Sequence, residues 1–308
     1  MSISGGYTYM KIINLRMHQL RSLKELELEP GTFNTEALML ILNKKQAKTK
    51  DGGRMLFKYL DAQDDEKVMA RKLYTINMLN GSEKYSSINE LIIPDHIVVV
   101  DGKIAGFALP LIENHKNLGK LLNNETISLE TKLPYITQLG SIVDKVERIT
   151  NESFRMQFGD LNEFNFIIDR NNKVKSVDLD SAYLGQDEPS NTAYYLLKNK
   201  YITALKDKYK TTKNNIIIPT DNSDLYCYNM IVLNTLAKED IFKVDIPTYY
   251  MYLNHLKDIG IDKELIKIFE RIYLPNNNRN PKDLLKNINP SSETEMDFKT
   301  FKREYKIR

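Results

Sequence analysis

One cysteine, Cys227, stands in 308 residues, so no internal disulfide framework staples the fold and the chain suits a reducing compartment. The four histidines, His18, His96, His115 and His255, are scattered without metal-ligand spacing, which argues against a zinc site. A dominant charge is lacking too: 44 Lys and Arg face 41 Asp and Glu, a formal net charge of +3. No overwhelming field advertises nucleic acid as a partner, and any basic patch has to be local. Long hydrophobic runs are missing as well. No stretch reaches the roughly eighteen uncharged residues of a spanning helix, and the opening "MSISGGYTYMKIINLRMHQL" has no continuous apolar segment of the signal-peptide kind. The expectation is a cytoplasmic chain with no membrane span. Internal repeats and low-complexity segments are not found either.

What is present is apolar content, 42%, sufficient at this length for real cores in two modest domains or one two-lobed unit. "ALMLILN" (37–43) and "RMLFKYL" (54–60) are short apolar runs joined by the polar "KKQAKTKDGG", which predicts a hairpin with a long loop. "DDEKVMARKLYTINML" opens on acidic residues suited to a helix N-terminus and repeats apolar side chains at Val68, Met69, Leu73, Ile76 and Leu79. "HIVVVDGKIAGFALPLI" predicts two strands about an Asp101-Gly102 turn. From Glu113 onward helices dominate, "KLPYITQLGSIVDKVERI" being the clearest. The pattern is α+β, with a β-rich lobe over 1–112 and an α-rich lobe over 113–308.

Within the second part, "FGDLNEFNFIID" (158–169) sets Asp160, Asn162 and Asn165 among Leu161, Phe164, Phe166 and Ile167. After the turn "DRNNK", a second apolar run, "KVKSV", ends at Asp178. Two strands joined by that turn would bring Asp178 back beside Asn165. Phosphoryl transfer needs a carboxylate to orient and accept the proton of the attacking hydroxyl, plus oxygen ligands that hold magnesium against the phosphates. Asp160 can serve the first need, and Asn165 with Asp178 the second. The plainer alternative is that Asp160 and Asn162 are turn residues capping local backbone.

"GDLNEFN", with "VDLD" beyond the hairpin, resembles the catalytic loop and magnesium-binding segment of protein-kinase-like phosphotransferases. Further segments match in the family's order. "EPGTFNTE" resembles the Gly-rich loop, with Gly31 at a glycine position, and "MLFK" the third-strand motif ending in the phosphate-contacting lysine, Lys58. "NSDLYCYNMIVLNTL" resembles the buried helix whose N-terminal aspartate, Asp224, holds the catalytic loop by its backbone. "IYLPNNNRNPKDLLKNI" resembles the last helices of the C-terminal lobe, with Arg279 at the characteristic arginine. The resemblance implies a bilobal fold with an N-terminal antiparallel sheet lobe carrying one helix, a mainly helical C-terminal lobe, and ATP and Mg2+ in the cleft. It implies Asp160 as catalytic base, Gly31, Lys58, Glu66, Asn165 and Asp178 as nucleotide-binding residues, and Asn165 and Asp178 as metal ligands.

The sequence also departs from that pattern. Glu29 and Asn34 stand where two other glycines are usual, Phe158-Gly159 replaces His-Arg, and Asp178-Leu179-Asp180 replaces Asp-Phe-Gly, removing a flexible glycine. Glu66 shares a helical face with Met69, Leu73 and Ile76, so it reads either as the partner of Lys58 or as a first-turn residue facing the helix dipole. Asp180 reads as a second ligand or a cap. "NTAYYLLKNKYITALKDKYKTTK" predicts an amphipathic helix with Lys198, Lys200, Lys206, Lys208, Lys210 and Lys213 on one side, either a solvated face or a surface favouring an acidic peptide, a phosphorylated substrate or a nucleic acid backbone. "FKTFKREYKIR" reads as a frayed basic tail. The expected activity is transfer of the γ-phosphoryl group of ATP to a hydroxyl on a protein. A small-molecule kinase and a catalytically silent binding module are the alternatives.

Overall fold

The structure, a computed structural model, describes residues 9–26, 38–47, 54–60, 66–149, 152–185, 195, 210–213, 216–241, 244–272, 279–289 and 297–306. Gly31 with the segment around it, and Lys198, Lys200, Lys206 and Lys208, lie outside the described residues. The chain is α+β and divides into two compact units, one of Met1–Asn117, Asn151–Ser153 and Phe164–Ala182, the other of Leu118–Thr150, Phe154–Glu163 and Tyr183–Arg308. The chain thus passes from one unit to the other after Asn117, a few residues beyond the expected 112/113 boundary, and returns to the first unit for the segment carrying Asn165 and Asp178.

The first unit is built on a six-stranded sheet in the order β1-β5-β6-β4-β3-β2. Its strands are β1 (Lys11–Leu15), β2 (Lys24–Glu25), β3 (Leu38–Leu42), β4 (Met55–Tyr59), β5 (His96–Val100) and β6 (Lys103–Pro110). The expected β3–β4 and β5–β6 antiparallel pairs both form. The sheet is nevertheless mixed and not antiparallel, because β1, unforeseen from the sequence, runs parallel to β5 with Ile13 opposite Val98. β5, "HIVVV", is buried at every residue, the signature of a strand covered on both faces. Its alternate side chains serve two cores. Val98 and Val100 join Leu15, Leu40, Met55 and Phe57, whereas Ile97 and Val99 join Leu60, Leu73, Ile76 and Phe107.

Leu73 and Ile76 belong to the long helix of this unit, Glu66–Gly81. It is not alone as expected: Met17–Arg21, Lys44–Ala47 and Glu83–Ser86 are short helices of the same unit. In chain order these are α1 (Met17–Arg21), α2 (Lys44–Ala47), α3 (Glu66–Gly81) and α4 (Glu83–Ser86). A three-stranded sheet of β7 (Lys116–Asn117), β8 (Phe166–Ile168) and β9 (Val174–Ser176) completes the unit. Its β8–β9 hairpin is fastened to the segment before β5, since Ser176 donates its N–H to the Glu90 carbonyl at 2.8 Å and accepts from Ile92 N–H at 2.9 Å.

The second unit is mainly helical. It contains α5 (Leu118–Asn123), α6 (Leu129–Glu147), α7 (Ser223–Ala237), α8 (Ile246–Asp258), α9 (Lys263–Glu270) and α10 (Phe298–Glu304). Ser128 caps α6 and Asp245 caps α8 with side-chain oxygens that accept from Thr131 and Thr248 N–H. α7 is buried all round except at Asn234, as a helix must be when apolar residues follow one another without a polar face.

Two expectations are corrected in this unit. Lys210–Lys213, expected to end the lysine-bearing helix, forms strand β10, paired antiparallel with β11 (Ile216–Pro219), because the β-branched "TT" and "III" favour strand over helix. The C-terminal segment is not frayed. Phe298 and Phe301 are fully buried, with ring centroids 4.9 and 5.3 Å from that of Tyr252, in a capped helix whose Lys299 and Arg303 are exposed while Lys302 lies over the Phe298 ring.

Candidate functional site

Strand alternation decides where Lys58 points. Met55 and Phe57 enter one core, so Leu56, Lys58 and Leu60 share the other face, where Leu60 packs with α3. Lys58 is 6% exposed, contrary to the usual fate of lysine. Its ammonium donates to Asp178 Oδ1 at 2.6 Å and to Asp180 Oδ1 and Oδ2 at 2.9 and 3.0 Å. Burial works against its charge, but the two carboxylates hold it well above the ordinary lysine range.

Gly106 makes room for this arrangement. The β5–β6 register shifts between Val98 and Val99, and Gly106, at φ 151, lies opposite Tyr59. A Cβ there would stand 2.0 Å from the Lys58 carbonyl oxygen. Only glycine lets β6 approach β4 so closely.

The two carboxylates sit on a 3-10 turn, Leu179–Ser181, that follows β9. Asp178 is pushed up to about 6 by burial, with Lys58 opposing and the neighbouring Asp180 charge adding to the rise. Burial also acts on Asp180, yet the Lys58 ammonium and the approach of Lys72 hold it well below the usual carboxylate range. Lys72 Nζ, on α3, is 3.8 Å from Asp180 Oδ2.

The hairpin brings the other expected ligand to the same place. Phe166 pairs with Ser176, and Val177 donates its N–H to the Asn165 carbonyl at 3.2 Å, so buried Asn165 and Asp178 lie at one end of β8–β9. Among the described residues no group of three or more His, Cys, Asp or Glu could hold a metal ion. Magnesium, however, is ordinarily held by one or two carboxylates with substrate phosphates and water. An amide and a carboxylate, Asn165 and Asp178, are oxygen donors of that kind.

Asp160 belongs to the second unit, in a turn whose form explains its glycine. Asp160 donates its N–H to the Phe158 carbonyl at 2.8 Å, closing a three-residue turn on Gly159 at φ 72, the left-handed region. Phe158 N–H in turn donates to Asp224 Oδ2 at 2.9 Å. Asp224 stands at the start of α7, and its carboxyl is pushed up to about 7, by burial first, against the Phe158 hydrogen bond.

Glu163 was not foreseen. This buried residue of the same loop accepts the Tyr195 hydroxyl at 2.6 Å and the Asn123 amide at 3.2 Å. The signal available was an acid set between Leu161 and Phe164 in an otherwise buried stretch. Tyr195 is buried.

Glu66 does not meet Lys58. It is exposed in the first turn of α3, whose fully buried positions begin only at Leu73, two helical turns on, and the described partners of Lys58 are Asp178 and Asp180. Arg279 is exposed and meets Glu264 at 3.3 Å, a surface pair. No protein-family model matches the chain, and no curated protein matches it significantly. Among the described residues no helix is long and apolar enough to cross a membrane.

Proposed function

We propose that the chain is a protein-kinase-like phosphotransferase that moves the γ-phosphoryl group of ATP to a hydroxyl, on a protein substrate. The observation that carries this reading is the buried ion pair of Lys58 with Asp178, a strand lysine joined to the carboxylate that follows a hairpin. A buried charge pair costs desolvation and is seldom a source of stability, so its presence points to use. In this reading Lys58 holds the nucleotide phosphates, and Asn165 and Asp178 hold magnesium. Held by those two residues, magnesium would supply charge neutralisation on the phosphates. Asp160 orients the acceptor hydroxyl and accepts its proton, and Asp224 fixes the backbone that carries Asp160.

Gly159-Asp160 also suits kinases of small molecules, because the tight turn leaves no side chain before the base. One experiment separates the readings. The purified chain is incubated with γ-labelled ATP, magnesium and either lysate protein or a filtered metabolite pool, beside Asp160→Asn. Label in protein that disappears with Asp160→Asn supports the protein kinase, and label confined to the filtrate the small-molecule kinase. No transfer with either, together with retained nucleotide binding, leaves a binding module.

A further inference from the structure

We infer that Asp180 is the residue that positions Lys58 for the nucleotide, leaving Asp178 free for the metal; this rests on the phosphotransferase reading above. The two carboxylates are not equivalent. Asp178 meets Lys58 through one oxygen, at 2.6 Å, and is 10% exposed at its side chain. Asp180 meets it through both oxygens, at 2.9 and 3.0 Å, and is 2% exposed. An Asp178 that shares its carboxylate with a metal would have less to give the ammonium, whereas Asp180, engaged through both oxygens, would hold it in either case.

Its own position is fixed from the helix side. Lys72 of α3 lies 3.8 Å from Asp180 Oδ2, and Thr75 Oγ1 of the same helix donates to the Ala182 carbonyl at 3.2 Å, clamping the turn just past Asp180. The helix therefore offers a cation where a glutamate was expected, and the anion between strand and helix comes from the metal-binding segment. Glu66, exposed at the far end of α3, has no part in it.

Nucleotide affinity separates the two roles. ATP binding to the full chain is measured by calorimetry in EDTA and again with magnesium, for the wild type, Asp178→Asn, Asp180→Asn, Lys58→Met and the Lys58→Met/Asp180→Asn double variant. Asp180→Asn is expected to weaken metal-free ATP binding about tenfold, to add no loss in the Lys58→Met background, and to keep the tightening by magnesium. Asp178→Asn is expected to keep metal-free affinity and lose that tightening. A loss from Asp180→Asn that persists without Lys58, or that removes only the magnesium response, overturns the assignment.

If Asp180→Asn does not melt cooperatively, Asp180→Glu replaces it in the cycle, since it keeps the charge but moves it by one methylene. Its loss must again vanish without Lys58. A wild type that binds no ATP in either buffer overturns the phosphotransferase reading and this inference with it, whereas a wild type that binds beside an unaffected Asp180→Asn overturns only the inference.

Discussion

Asp224 Oδ2 accepts the Phe158 N–H at 2.9 Å and so ties the start of an almost wholly buried helix to the turn that carries Asp160. The carboxyl is pushed up from 3.8 to about 7, burial being the main cause. An acid whose folded value lies above its unfolded one takes up a proton on folding. Its contribution to stability is present in full below the unfolded value and lost as pH rises through the folded one. Asp224→Asn keeps an acceptor oxygen without ionising. The melting temperature of the wild type minus that of the variant should therefore fall between about pH 4 and pH 7 and level off above. A difference independent of pH would show that Asp224 does not titrate in this window.

Gly106→Ala tests the close approach beside Lys58. The added methyl would meet the Lys58 carbonyl oxygen at 2.0 Å, and backbone cannot swing aside as a flexible side chain can. The strands must part, with a stability loss of about 3 kcal/mol in denaturant unfolding. Weaker ATP binding should accompany it, because β4 carries the lysine. Unchanged stability would mean that β6 does not run so close to β4.

The turn before Asp160 makes a separate prediction. Alanine at Gly159 has to hold φ near 72, which costs roughly 1–2 kcal/mol for an L residue. Asp160→Asn leaves that backbone alone and should lower phosphoryl transfer on the order of a hundredfold or more without weakening ATP binding. Gly159→Ala should lower both stability and turnover. Wild-type turnover in a Gly159→Ala variant that is no less stable would disconnect the turn from the chemistry.

Local pattern was legible where period and turn chemistry agree. The β3–β4 and β5–β6 hairpins, the amphipathic α3 and the hairpin joining Asn165 to Asp178 could all be read from alternation, helical spacing and the polar turns between them. The tie between Asp224 and Phe158 was legible only through resemblance, because no pattern in 308 residues relates positions 66 apart. β1 was missed because Ile12 and Asn14 are exposed on an edge strand, so "KIINL" carries little of the buried-strand signature. The partner of Lys58 was misplaced for a related reason. Helical spacing gave Glu66 an inward face but could not tell that burial of α3 begins at Leu73, nor that a 3-10 turn would return Asp180 to the lysine. Periodicity reports which side of an element is apolar, and the meeting of charged groups across elements depends on tertiary placement.

Glu163 accepts the Tyr195 hydroxyl at 2.6 Å, and burial together with that carboxylate pushes the phenol well above its ordinary range. Tyr195→Phe keeps the ring and removes the donor, leaving one oxygen of a buried carboxylate without this partner. The loss should be about 1–3 kcal/mol in denaturant unfolding. It should shrink in a Glu163→Gln background, where no charge requires the hydroxyl, and additive losses would show that the two residues act independently. Glu163 lies between Asp160 and Asn165 in the chain, so a loosened loop should also lower turnover severalfold while the KM for ATP stays near the wild-type value. A variant that loses stability but keeps wild-type turnover would confine the Glu163–Tyr195 bond to the core of its own unit.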